Sequence, residues 1–219
     1  MFIICSIFAL IISCKNDAIS KDLETSVQDL ESAKQVEQEI KEEFNGLLNI
    51  LETKDVSKLD TSEIEKIIQE LKNKVDKSDA KKTSLEKYRE YEEQIKKIKE
   101  KLKDKGNIEN KLNELEDSLK KKKEERKKAL NEAKQKFEGF KGQVESATGV
   151  SSGEQSRNQG QVGTQAWKCA NDLGYKNMTS SGSSDTSNMT KEIIENALKK
   201  IEEELKNFGE GTQNSEEKK

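Results

Sequence analysis

Apolar residues recur at three- and four-residue steps along most of this chain. Leu23, Val27, Leu30, Ala33, Val36, Ile40, Phe44, Leu47 and Leu51 form a first stripe, and that spacing puts them on one face of a helix over residues 20–53. Ser20 is placed to cap it. Asp22 and Glu24 follow in the first turn, where carboxylates favour the positive end of the helix dipole. Residues 54–60 break the pattern. Asp60-Thr61-Ser62-Glu63 then supplies a new N-cap with an acid three positions on. Ile64, Ile67, Ile68, Leu71 and Val75, followed by Leu85, Tyr88, Tyr91, Ile95, Ile98 and Leu102, predict a helix with a kink or short break near residue 80, stopped at Gly106. Asn107 is placed to cap a third helix whose stripe is Ile108, Leu112, Leu115, Leu119, Lys122, Arg126, Leu130, Ala133, Phe137, Phe140 and Val144. Two basic positions weaken that seam at its middle.

From residue 146 the composition turns to Gly, Ser, Gln and Asn, which reads as a linker. Val162, Ala166, Trp167, Cys169, Ala170 and Leu173 give one face to a short helix ending near Gly174. Thr190 is placed to cap a last helix with Ile193, Ile194, Ala197, Leu198, Ile201, Leu205 and Phe208. The expected fold is all-α: an elongated antiparallel helical coiled-coil bundle over residues 21–145, a linker over 146–160, and a C-terminal helical unit over 161–208. A disordered tail over 209–219 completes it. A single extended rod or a parallel oligomer would use the same stripes.

Composition supports long helices over a thick globular core. Asp, Glu, Lys and Arg make up 38% of the chain, against 31% hydrophobic residues, and there is no proline. Narrow apolar seams between solvated faces suit that balance. The 40 basic and 43 acidic residues nearly cancel, so the broad electrostatic footprint of a nucleic-acid binder is missing. Histidine is absent from the sequence. Ser-His-Asp and Cys-His nucleophiles and histidine metal ligands are therefore excluded. With no Gly-rich phosphate loop and no CxxC pair either, a binding protein is expected, not an enzyme, with no metal and no cofactor.

The N-terminus differs from everything after it. Residues 2–12 form an uncharged apolar run, far short of the ~20 residues a membrane-spanning helix needs. They fit the apolar region of a secretory signal, followed by small Ser13, then Cys14 and the polar residues Lys15, Asn16 and Asp17. Leu10-Ile11-Ile12-Ser13-Cys14 is similar to a bacterial lipobox. In such signals the chain is cut before the cysteine, whose sulfur receives diacylglycerol. Residues 1–13 are then the signal, Cys14 the lipid attachment site and residues 14–20 a tether. Each buried CH₂ of the acyl chains adds about 0.8 kcal/mol, so two or more chains anchor the body stably to a membrane. A buried core cysteine at a helix end is the other reading of Cys14.

Two further stretches carry candidate binding residues. The segment "GTQAWKCANDLGY" holds the only tryptophan and the only cysteine after Cys14. Trp167, with Lys168, Asn171 and Asp172, is a candidate partner-binding patch, since Trp is enriched at interface hot spots. The neighbouring Ala166, Ala170 and Leu173 argue instead for Trp167 and Cys169 as core residues. Cys169 lacks the neighbours that would activate a thiol, although an intermolecular disulfide stays open. Lys120, Lys121, Lys122, Lys123, Arg126, Lys127 and Lys128 form the densest basic cluster, with Lys96, Lys97, Lys99, Lys101, Lys103 and Lys105 upstream. Such runs are commonly solvated helix faces. The sharper reading is a salt-sensitive site for a sulfated glycosaminoglycan.

The leader "MFIICSIFALIISCKN" resembles the shared leader of the OspE/OspF-related (Erp) surface lipoproteins of Lyme-disease spirochaetes. Members begin with a few Lys-containing residues, which implies a start upstream of Met1. "FEGFKGQVESATGV", "GTQAWKCANDLG" and "MTKEIIENALKKIEEELKN" resemble the C-terminal region of the Elp (OspEF-leader-peptide) subgroup, over residues 137–207. The resemblance implies a lipid-anchored protein on the outer face of the outer membrane that binds host components. For the Elp subgroup it implies binding of the complement proteases C1r and C1s, which blocks the classical pathway by occupancy. Heparan sulfate, laminin and plasminogen are the alternative host ligands, and a periplasmic coiled-coil scaffold is the alternative of another class.

Overall fold

A computed structural model describes residues 28, 30–55, 60–103, 106–145, 154–175 and 186–209. Among these residues there are helices and no strand. The elements are α1 (residues 30–53), α2 (Thr61–Lys77), α3 (Leu85–Lys101), α4 (Gly106–Glu145), α5 (Glu154–Asp172) and α6 (Thr186–Glu204). A π-helical turn, Leu205–Gly209, follows directly. The chain is an all-α helical bundle. The signal, Cys14 and the tether, the Ser20 cap, and residues 210–219 lie outside the described residues.

Local chemistry sets most of the ends. Asp60 caps α2 by accepting from the Ser62 amide at 2.9 Å. Ser84 caps α3 by accepting from the Lys87 amide at 3.3 Å. Lysines fill the last turns of α2 and α3, where they favour the negative end of each helix. Four expected ends are corrected. The second helix stops at Lys101, capped by Leu102, so Gly106 opens α4 and does not end α3, and Asn107 lies inside α4 and does not cap it. The helix expected to follow the linker begins at Glu154, inside the Gly/Ser/Gln stretch. Thr190 lies within α6, buried, and is not its cap.

Side-chain pairs fix the directions. Tyr91 meets the Glu37 carbonyl and Lys101 meets Glu52, so α1 and α3 run parallel. Lys111 meets Gln69 and Lys122 meets the Ser78 carbonyl, so α2 and α4 run parallel. Lys99 meets Glu116 while Lys123 meets Glu92, so α3 and α4 are antiparallel. Residues 78–84 therefore reverse the chain, so the one helix expected there, with a kink or short break near residue 80, is two antiparallel helices. At about 1.5 Å per residue, the 40-residue α4 spans roughly 60 Å. Its first half closes a four-helix bundle with α1, α2 and α3. Its second half receives α5 and α6. Arg126 reaches Leu173 while Lys136 lies near Cys169, so α5 runs antiparallel to α4. Gly163 lies against Thr190 and Tyr175 against Glu204, so α5 and α6 are parallel.

One apolar core runs through both halves, from Ile40 and Phe44 through Leu71, Ile95, Leu119 and Phe137 to Ala170 and Ile201. Phe44 stacks on Tyr91 at 5.6 Å between ring centres, and Tyr88 meets Tyr91 edge-on at 6.5 Å. Each fully buried Leu, Ile or Phe contributes about 1.5–3 kcal/mol. The seam does not weaken at Arg126: the side chain is buried in line with the stripe and hydrogen-bonded through each of its nitrogens.

Candidate binding surface

α5 presents the predicted patch. Val162, Ala166, Ala170 and Leu173 are buried at helical spacing, which fixes the rotation of the helix. That rotation leaves Trp167, Lys168 and Asn171 half-buried and Asp172 exposed. The four positions fall on two successive turns and make one continuous patch. Trp167 and Cys169 both pack against the core, as their setting among small apolar residues implied. Burial, the largest cause, raises the Cys169 thiol above its ordinary range, with Asp172 adding and Lys136 opposing. The patch thus offers contact chemistry: an indole edge, an ammonium, an amide and a carboxylate.

The end of α5 is held by a Schellman motif. The Tyr175 amide donates to the Ala170 carbonyl at 3.0 Å and the Gly174 amide to the Asn171 carbonyl at 2.8 Å. Gly174 adopts φ +77°. A Cβ there would also stand 2.7 Å from the Lys82 carbonyl oxygen, so only glycine lets this turn dock on residues 78–84.

The basic run does not form one solvent-facing cluster. Lys122 donates to the Ser78 carbonyl at 2.7 Å, Lys123 pairs with Glu92 at 2.8 Å, and Lys127 pairs with Glu124 at 2.7 Å. Arg126 is turned into the core. Lys120, Lys121 and Lys128 are exposed. In the upstream run, Lys99 bonds Asn113 and Glu116, both at 2.7 Å, while Lys96, Lys97 and Lys103 face solvent.

Sequence reasoning missed the pair that joins the two halves of the molecule. Arg126 donates from Nε and Nη2 to the two carboxylate oxygens of Glu204 at 2.9 and 2.8 Å. Its Nη1 donates to the Leu173 carbonyl at 2.9 Å and to the Lys81 carbonyl. Glu204 also accepts from the Leu85 amide at 2.8 Å and from the Tyr175 hydroxyl at 3.0 Å. The signal was present: both residues continue an apolar stripe, with opposite charge.

Two open grooves lie on the described surface. One, about 560 Å³, lies between α1 and α3 and is lined by Lys34, Glu37, Lys41, Glu42, Lys87 and Tyr91. Burial, the largest cause, raises the Glu37 carboxyl there, against the lowering effect of Thr83 and Lys87. The other, about 570 Å³, lies where residues 78–81 meet α4. Both mix acids and bases. Among the described residues, no group of side chains is arranged to hold a metal ion, and no helix is long and apolar enough to cross a membrane. Compared with protein-family models, with curated proteins and with solved structures, the chain finds no match.

Proposed function

We propose that this chain is a lipid-anchored outer-surface protein that docks the host complement proteases C1r and C1s on its C-terminal helices and blocks the classical pathway by occupancy. The observation that carries the proposal is the pairing, in one sequence, of a leader with its cut site just before Cys14 and the block "GTQAWKCANDLG". Its position on the surface of the bundle also supports the reading. Lys168, Asn171 and Asp172 lie on two adjacent turns of a helix held at its end by a Schellman motif. The glycosaminoglycan alternative has less support, because Lys122, Lys123, Arg126 and Lys127 already have partners within the fold.

Surface-plasmon measurements with residues 15–219 and purified C1r and C1s test the proposal. Binding at or below micromolar concentration is expected, weakened roughly tenfold or more by Lys168→Glu with Asp172→Lys, the scale of losing one or two interface contacts. No binding at micromolar concentration would overturn it. Anchoring is tested separately: labelled palmitate should enter the wild type and not Cys14→Ala, and only the wild type should fractionate with membranes.

A further inference from the structure

We infer that α5 and α6 open from the rest of the bundle as one unit, and that the Arg126–Glu204 pair is the latch that holds them closed. The first ground is the weakness of α5. It carries Gly160, Gly163 and Thr164 in its interior, all poor helix formers. Its fully buried side chains among the described residues are Val162, Ala166, Ala170 and Leu173, two of them alanine, and Trp167 and Cys169 pack against the core while only partly buried, so its share of the core is small. A helix like this forms only against a partner.

That partner is α6. The two helices pack more extensively on each other than α5 does on α4. At their crossing a Cβ on Gly163 would stand 2.5 Å from Thr190 Oγ1, so the backbones approach as closely as the side chains allow. A contact this tight makes the two helices move together. α6 also carries the larger buried anchors of the pair, Ile194 and Ile201.

The latch sits where this pair meets the four-helix bundle. Glu204, on the last turn of α6, takes hydrogen bonds from α4, from the first amide of α3 and from the turn after α5. Arg126 closes the ring by donating to the carbonyls of Lys81 and Leu173. Beyond it the helix widens into the π-helical turn, which brings Phe208 under the Arg89 guanidinium at 6.0 Å. Such turns interrupt a helix locally and recur at functional sites. Removing either charge strands the other in a buried site, which is why one pair decides whether the whole unit stays docked.

Trp167, the only tryptophan, lies on α5 and reports the unit directly. In the full chain, urea unfolding followed by Trp167 fluorescence should precede unfolding followed by far-UV circular dichroism, with the gap widened in Glu204→Gln. Native-state hydrogen exchange should show the α5 and α6 amides losing protection together, by roughly a hundredfold in Glu204→Gln, while α2 and the first half of α4 keep theirs. Equal loss in every helix, loss in α5 without α6, or no loss anywhere would overturn the inference. Should Glu204→Gln fail to fold, Tyr175→Phe removes one bond to the carboxylate and keeps the ring. The same joint loss in α5 and α6, of roughly tenfold, is then expected, and the same three patterns count against it.

Discussion

Gly174→Ala is expected to destabilise the C-terminal unit by about 2–5 kcal/mol, a sum built from two separate contacts. An L-residue held at φ +77° costs about 1–2 kcal/mol through the clash of Cβ with the following carbonyl. The added Cβ would also stand 2.7 Å from the Lys82 carbonyl oxygen and 3.3 Å from Lys82 Cα. That oxygen belongs to a turn with little room to yield. The Lys82 and Thr83 amides both donate to the Asp79 carbonyl at 3.0 Å, and Arg126 holds the Lys81 carbonyl from the other side. Forcing a methyl into such a site adds about 1–3 kcal/mol. With a urea slope of about 2 kcal/mol/M, the midpoint seen by Trp167 fluorescence should fall by roughly 1 M or more. A midpoint unchanged, or raised, would show that neither the left-handed conformation nor the approach to Lys82 constrains this turn.

Two glycines of α4 give the opposite sign. Gly139 and Gly142 are exposed on α4, and an added methyl at either would meet nothing within 4 Å, so alanine should stabilise by about 0.5–1 kcal/mol, read as a raised urea midpoint. All three tyrosines are buried enough to hold their phenols up, Tyr88 to about 12 and Tyr91 and Tyr175 further, with burial the largest cause in each. Their folded values lie above the unfolded value near 10, so the stability they contribute is complete below pH 10 and lost as pH rises through the folded values. Absorbance at 295 nm should stay flat to about pH 11 and then rise with loss of circular dichroism; a smooth titration centred near pH 10 in the folded protein would refute this. Arg126→Met and Glu204→Met should each destabilise by about 3–5 kcal/mol, while the double substitution should recover most of that loss, and simple addition of the two losses would contradict a coupled pair.

Much of the helical content was legible because burial follows the stripes. Ile40, Phe44, Leu47 and Leu51, then Ile64, Ile68, Leu71 and Val75, are buried as their spacing implied. The break near residue 80 was legible too, but its geometry was not, since a kink and a reversal leave the same residues apolar. α5 was read too short for a different reason. Gly160 and Gly163 mark a linker by composition, whereas Gly163 serves here to admit Thr190 of α6. No local pattern distinguishes a glycine kept for flexibility from one kept for close approach. Asp60 shows the converse: a cap is local chemistry, and this one stands where the sequence placed it.

The candidate site was legible as a stretch and illegible as a surface. The residues of "AWKCAND" were found together, but which of them face outward depends on the rotation of α5, and that rotation is set by α4 and α6. The basic run is illegible as a surface for the same reason. Seven charges adjacent in sequence look like one patch, yet a helix sends them around its circumference, toward Ser78, Glu92, Glu124 and Glu204. The partners of Lys122, Lys123 and Arg126 lie 44, 31 and 78 residues away, beyond any local window. A charge that keeps step with an apolar stripe therefore says more than a dense run of charges. Arg126 follows Leu119 and precedes Leu130 and Ala133 in the seam, and Glu204 follows Ile201 in its own. Burying either charge alone would be prohibitive, so their places on two stripes imply that the stripes meet there.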